Sequence, residues 1–171
     1  MNRTVFLVPV LATALALACF TGGCQTVAEM PPEPLVGAWR GPAKFTTGPY
    51  VEANDLELMY VFHADGTMTE SSNYDGAPPV PPAYGAWKLT GPRQYEAHYE
   101  FYAVKPPAAL DEITKGGGWG PDGRGVLTQK ITLSADGNAF ESTIKMEMFS
   151  QQGKPAAGSG DATARAQRMN P

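Results

Sequence analysis

The sequence predicts an all-β domain, an eight-stranded antiparallel up-and-down barrel, with a two-sheet β-sandwich as the alternative arrangement. Three observations predict it. First, strand-forming runs alternate with period two: Tyr95, Ala97, Tyr99, Phe101 and Ala103 share one side of a run whose other side holds Gln94, Glu96, His98 and Glu100. That is the pattern of a half-buried strand. Second, the runs are joined by tight Asp-Gly and Gly-Pro-Arg turns, the connections of antiparallel hairpins. Third, tight and long connections alternate, so an up-and-down order gathers the long ones at one end, and closure removes the edges that a flat meander would expose.

Taken in order, residues 36–45 are the first strand, carrying Gly37-Ala38-Trp39, and 46–55 a polar connection. Residues 56–63 follow with Leu56, Leu58, Tyr60 and Phe62 on one face, and Ala64-Asp65-Gly66 turns them into 67–73. The prolines of 74–82 cannot donate ladder hydrogen bonds, so this stretch is a stiff loop. Residues 84–90 and 94–104 form the hairpin around Gly91-Pro92-Arg93. Residues 106–125 read as the longest irregular stretch, with a helical turn at 108–114 and a glycine-rich half holding Trp119. Residues 126–133 and 139–149 pair across 134–138, and 156–169 closes the chain.

With 171 residues, 43% hydrophobic and 18% charged, the chain has the balance of one globular domain. Its formal charge of −4 and the lack of any Lys/Arg cluster argue against nucleic acid as a partner. Both cysteines, Cys19 and Cys24, lie in the first 24 residues, so the folded domain has no thiol for a disulfide, nucleophile or metal.

Residues 1–24 form a targeting segment: Arg3, then an almost wholly apolar run over 5–20, then Thr21-Gly22-Gly23-Cys24. The pattern resembles a bacterial lipoprotein signal, although Thr21 stands where that family usually has Leu. The resemblance implies lipidation of Cys24, a membrane anchor and a place in the cell envelope. Ala16-Leu17-Ala18-Cys19 is a competing processing site, and plain secretion is the simpler alternative. Residues 25–34 read as a tether, leaving 35–171 as the domain.

If the apolar faces point inward, Tyr60, Phe62, Tyr95, Tyr99, Phe101, Gln129 and Met146 are candidates to line a cavity for a small hydrophobic molecule, entered from the loop-bearing end. Gly158, Gly160, Ala162, Ala164 and Ala166 put small side chains on one face of the last strand. They either leave volume free or let bulky neighbours close over them. Trp119, between glycines, is the candidate lid.

Gly37-Ala38-Trp39 near the start, with Arg165 and Arg168 near the end, resembles the lipocalin-like, or calycin-type, barrels. The resemblance implies that a late arginine, Arg168, packs on Trp39 at the closed end in a structural role. GAWKLTGPRQYEAHYEFY, ITLSADGNAFESTI and GSGDATARAQRM together look like a family of bacterial secreted lipocalin-like proteins, which implies a fold and no particular reaction.

The catalytic search is mostly negative. The two histidines, His63 and His98, have no metal-ligand spacing, Gly158-Ser159-Gly160 lacks the setting of a nucleophile elbow, and Glu96, Glu100, Glu141 and Glu147 alternate with inward residues. Asp111, Glu112 and Asp122 could reach the mouth. No cofactor is indicated. Three readings stay open: a carrier or sensor for a small apolar molecule, a cyclase or isomerase resembling the allene oxide cyclase-like barrels, and an envelope interaction module with a filled core. A cavity would argue against the third, and a buried ionisable group among the lining tyrosines would favour the second over the first.

Overall fold

The protein is described here by a computed structural model covering residues 33–75, 80–109, 111–114 and 118–170. Eight strands, β1 (Gly37–Phe45), β2 (Glu57–Phe62), β3 (Thr67–Ser72), β4 (Ala83–Gly91), β5 (Gln94–Lys105), β6 (Gly120–Leu133), β7 (Ala139–Phe149) and β8 (Pro155–Arg168), form one closed antiparallel barrel. A single turn of helix, α1 (Asp111–Thr114), lies between β5 and β6. The arrangement is the up-and-down barrel and not the sandwich. Closure is made by β1 and β8, with Trp39 opposite Arg168, Ala43 opposite Ala164 and Phe45 opposite Ala162.

The tight turns are held by their own side chains. Asp65 Oδ1 accepts from Thr67 Oγ1 at 2.7 Å and from the Thr67 amide at 2.9 Å, while Asp136 Oδ1 accepts from Ser134 Oγ at 2.5 Å and from the Asn138 amide at 3.1 Å. These bonds hold both carboxyls below the usual carboxylate range.

The 106–125 stretch is where the expected boundaries fail. Strand β6 begins at Gly120, not at Val126, because the glycine-rich segment pairs with β5: Phe101 opposite Gly125, Tyr102 opposite Arg124, Ala103 opposite Gly123. A shift of register between Ala103 and Val104 leaves Asp122 as the extra residue between Pro121 and Gly123, and Gly123 takes φ +109° where a Cβ would meet Phe149 O at 2.0 Å. The glycines therefore serve a bulged strand rather than a loop.

On β8 the second of the two alternatives holds. Gly160, Ala162 and Ala166 face Met146, Ile144 and Phe140 on β7, and bulky neighbours close over the small face. Gly160 also admits the chain after β1, since a Cβ there would sit 2.4 Å from Thr47 O.

The interior has three levels. At the closed end an aromatic cluster fills the barrel, with ring centroids 5.2 Å apart for Trp39 and Phe140, 5.7 Å for Tyr60 and Phe140, and 5.7 Å for Trp87 and Tyr95. Above it lies a polar layer of Tyr60, Tyr99, Gln129 and Ser142. Above that, toward the long connections, the barrel is not filled.

Candidate functional site: a cavity under the long loops

The unfilled upper level is a cavity of about 260 Å³. Its walls are apolar: Leu58 from β2, Ala83 from β4, Phe101 from β5, Leu127 from β6, and Ile144 and Met146 from β7. Tyr50, Ala53 and Leu56 from the β1–β2 connection and Tyr74, Val80 and Pro81 from the β3–β4 connection border it at the mouth. The loop-bearing end is thus the open one.

Into this space β3 sends one carboxyl. The alternation that buries Met68 puts Glu70 and Ser72 on the same inner face, and the hairpin register sets Glu70 directly opposite Tyr60. Glu70 lines the cavity, and no hydrogen bond or ion pair from the described residues reaches its carboxyl. Burial, and then the charge of Asp75, push its pKa up to about 8, so the group is mostly protonated at neutral pH.

Glu70 stands over a floor that is already satisfied. Tyr99 donates to Gln129 Oε1 at 3.1 Å, and Gln129 Nε2 donates to Ser142 Oγ at 2.8 Å and to Tyr60 Oη at 3.4 Å. Burial and the neighbouring charges hold both phenols above their ordinary range, so they stay neutral. Glu70 is half-buried, its carboxyl facing the cavity, whereas no fully buried side-chain polar atom among the described residues lacks a partner.

The rim is acidic. Asp75 accepts from the Ser72 amide and from Ser72 Oγ, both at 2.7 Å, and Asp55 accepts from Tyr74 Oη at 2.5 Å. That last bond, ahead of burial and the charge of Asp55, raises the Tyr74 pKa.

Of the residues the sequence offers as cavity lining, Phe101 and Met146 line it. Tyr60, Tyr99 and Gln129 form its floor instead, because they satisfy one another's polar atoms below it. Phe62 and Tyr95 lie lower still, in the closed-end cluster, where the Tyr95 hydroxyl donates to Glu33 Oε2 at 3.2 Å. Trp119 is exposed just before β6 and does not border the cavity among the described residues. Asp111, Glu112 and Asp122 do not border it either. Glu96, Glu100, Glu141 and Glu147 pair with Lys88, Arg124, Arg165 and Lys145 on the outer surface, where such pairs stabilise little. His63 and His98 are exposed. Cys24 lies outside the described residues.

At the closed end the Arg168 guanidinium lies 4.2 Å from the Trp39 ring centroid and donates to Val36 O, Gly137 O and Pro34 O. Trp39 Nε1 in turn donates to Leu35 O at 2.9 Å. Arg165 instead pairs with Glu141 outside the barrel.

Sequence reasoning missed Glu70, though a signal for it existed. Once Asp65-Gly66 fixes the hairpin and Phe62 faces inward, the register carries Met68 and Glu70 inward too. No group of three His, Cys, Asp or Glu among the described residues could hold a metal. Comparison with protein-family models, with curated proteins and with solved structures gives no match to this chain.

Proposed function

We propose that the barrel binds one small, largely apolar molecule in the cavity at its loop-bearing end, with the Glu70 carboxyl as its polar anchor. The observation that carries this reading is a space of about 260 Å³, apolar in its walls, holding a carboxyl that has no hydrogen-bond or ion-pair partner among the described residues. An unpaired carboxyl in such a place destabilises a fold, and groups of this kind concentrate at functional sites. The molecule is carried, or its presence sensed, at the cell envelope, with Cys24 as the lipid-bearing residue. The unfilled upper level weighs against a purely structural module.

Native mass spectrometry of the protein purified from its own host, followed by solvent extraction, tests the binding. The expected result is a small-molecule adduct that extraction removes and that Leu127→Trp, which fills the cavity, excludes. A bare mass, with no thermal stabilisation by any of a panel of small hydrophobic compounds, overturns it. The anchor is tested separately: Cys24→Ala should abolish incorporation of labelled palmitate and release the protein from the membrane fraction. Unchanged labelling would move the processing site to Cys19.

A second reading is favoured by Glu70 specifically. A carboxyl that titrates at about 8 can both give and take a proton near neutral pH, as a cyclase or isomerase acting in the cavity requires. Its mark would be conversion of the extracted molecule by the wild type, lost in Glu70→Gln while binding remains.

A further inference from the structure

Resting on that binding reading, we propose that the cavity selects small hydrophobic amines, taken head-first, with the ammonium against Glu70 and the apolar body in the walls between Glu70 and the mouth.

Depth sets the orientation. β3 leaves the tight hairpin at the closed end and climbs toward the mouth, so Glu70 is the deepest of the β3 residues that line the cavity, with Ser72 one inward step nearer the opening. The floor beneath offers no charge, and its polar atoms are already engaged with one another: Tyr99 donates to Gln129, which donates to Ser142 and Tyr60. A polar head that enters therefore meets the Glu70 carboxyl.

Charge sets the class. The charged and titratable groups that face Glu70 are Tyr60 from β2, Tyr99 from β5 and Asp75 from the β3–β4 connection, with Tyr74 and Asp55 farther up at the rim. None is cationic. No Lys, Arg or His among the described residues lines the cavity; Lys44, on the nearby β1–β2 side, is tied down by Asn54 Oδ1 at 2.6 Å and Val51 O at 2.9 Å. Among the described residues an anionic head would meet carboxyls, phenols and a Ser72 hydroxyl already donated to Asp75, and a neutral head would gain a hydrogen bond without a charge partner. An ammonium gains a charge partner, and the aromatic residues Tyr50, Tyr74 and Phe101 line its way in.

The proton balance follows. Below pH 8 Glu70 enters the complex protonated, so seating R–NH₃⁺ breaks the carboxyl O–H bond, leaves the carboxylate against the ammonium and releases the proton to solvent.

Isothermal titration with benzylamine, benzyl alcohol and benzoate tests this, in buffers of different ionisation enthalpy. The wild type should bind benzylamine at least tenfold more tightly than the alcohol at pH 8.5, and benzoate not measurably. Proton release on amine binding should approach one at pH 6.5 and fade as the pH passes 8, a readout that needs no variant. Glu70→Gln should equalise amine and alcohol and abolish the release. Equal affinity for amine and alcohol in the wild type, or tightest binding of benzoate with proton uptake, overturns the amine selectivity and leaves the cavity reading standing. If none of the three binds, and 4-phenylbutylamine and 4-phenylbutanol also fail, the cavity reading itself falls.

Discussion

Glu70 makes the protein's stability depend on pH in a direction opposite to that of a salt-bridged carboxylate. Its pKa is raised from 4.5 to about 8 on folding, so between those values the folded chain holds a proton that the unfolded chain has lost. Stability then falls as pH rises across that window, by at most about 1.4 kcal/mol per pH unit from this group. The apo protein should therefore melt at progressively lower temperature from pH 5 to pH 8, and Glu70→Gln should remove most of that slope. Calorimetry of both proteins across the window checks it; parallel slopes would mean that the carboxyl is ionised and solvated. The same residue shows what alternation leaves out. Period two places side chains on a face, but whether a position on the inner face touches packing or space depends on what the other seven strands send to that level. The rings of Phe62, Tyr95 and Phe140 fill the closed end, and the floor network takes up Tyr60, Tyr99 and Gln129, so only the level of Glu70 stays open.

At the scale of the element, the hairpins were legible because their turn residues act locally. Asp65 and Asp136 fold their turns with bonds to residues two positions on, needing nothing from elsewhere. The start of β6 was not legible, because Pro121, Gly123 and Gly125 form a strand only against β5 and its shifted register. Composition alone reads such a segment as a loop. The turn between β4 and β5 carries a strain of its own. Arg93 follows Pro92 and takes φ +58°, the position where such a turn favours glycine, while its carbonyl accepts from the Leu133 amide at 2.9 Å. Arg93→Gly keeps that carbonyl and relieves the side-chain clash, at some entropic cost in the unfolded chain. It should raise stability by up to about 1 kcal/mol in chemical denaturation. A loss of stability would show that the Arg93 side chain makes up for its backbone.

At the scale of the whole molecule, the two ends of the barrel divide the work. The closed end is a latch among three parts of the chain: the entry at 34–36, the β7 turn at Gly137 and the end of β8, all held by the Arg168 guanidinium. Because Arg168 sits opposite Trp39 in the β1–β8 ladder, the latch secures the seam where the sheet closes on itself. Arg168→Ala would leave the Val36 and Gly137 carbonyls without these donors and uncover one face of Trp39, a loss of about 2–4 kcal/mol. Lysine cannot span three carbonyls with a planar fork, so Arg168→Lys should recover less than half of that loss. Urea unfolding of both variants measures it. Amine affinity, measured where both variants remain folded, should not change, because the polar layer of Tyr60, Tyr99, Gln129 and Ser142 separates the latch from the cavity. A drop in affinity matching the drop in stability would mean that the two ends are one cooperative unit, with the seam holding the mouth open from the far side.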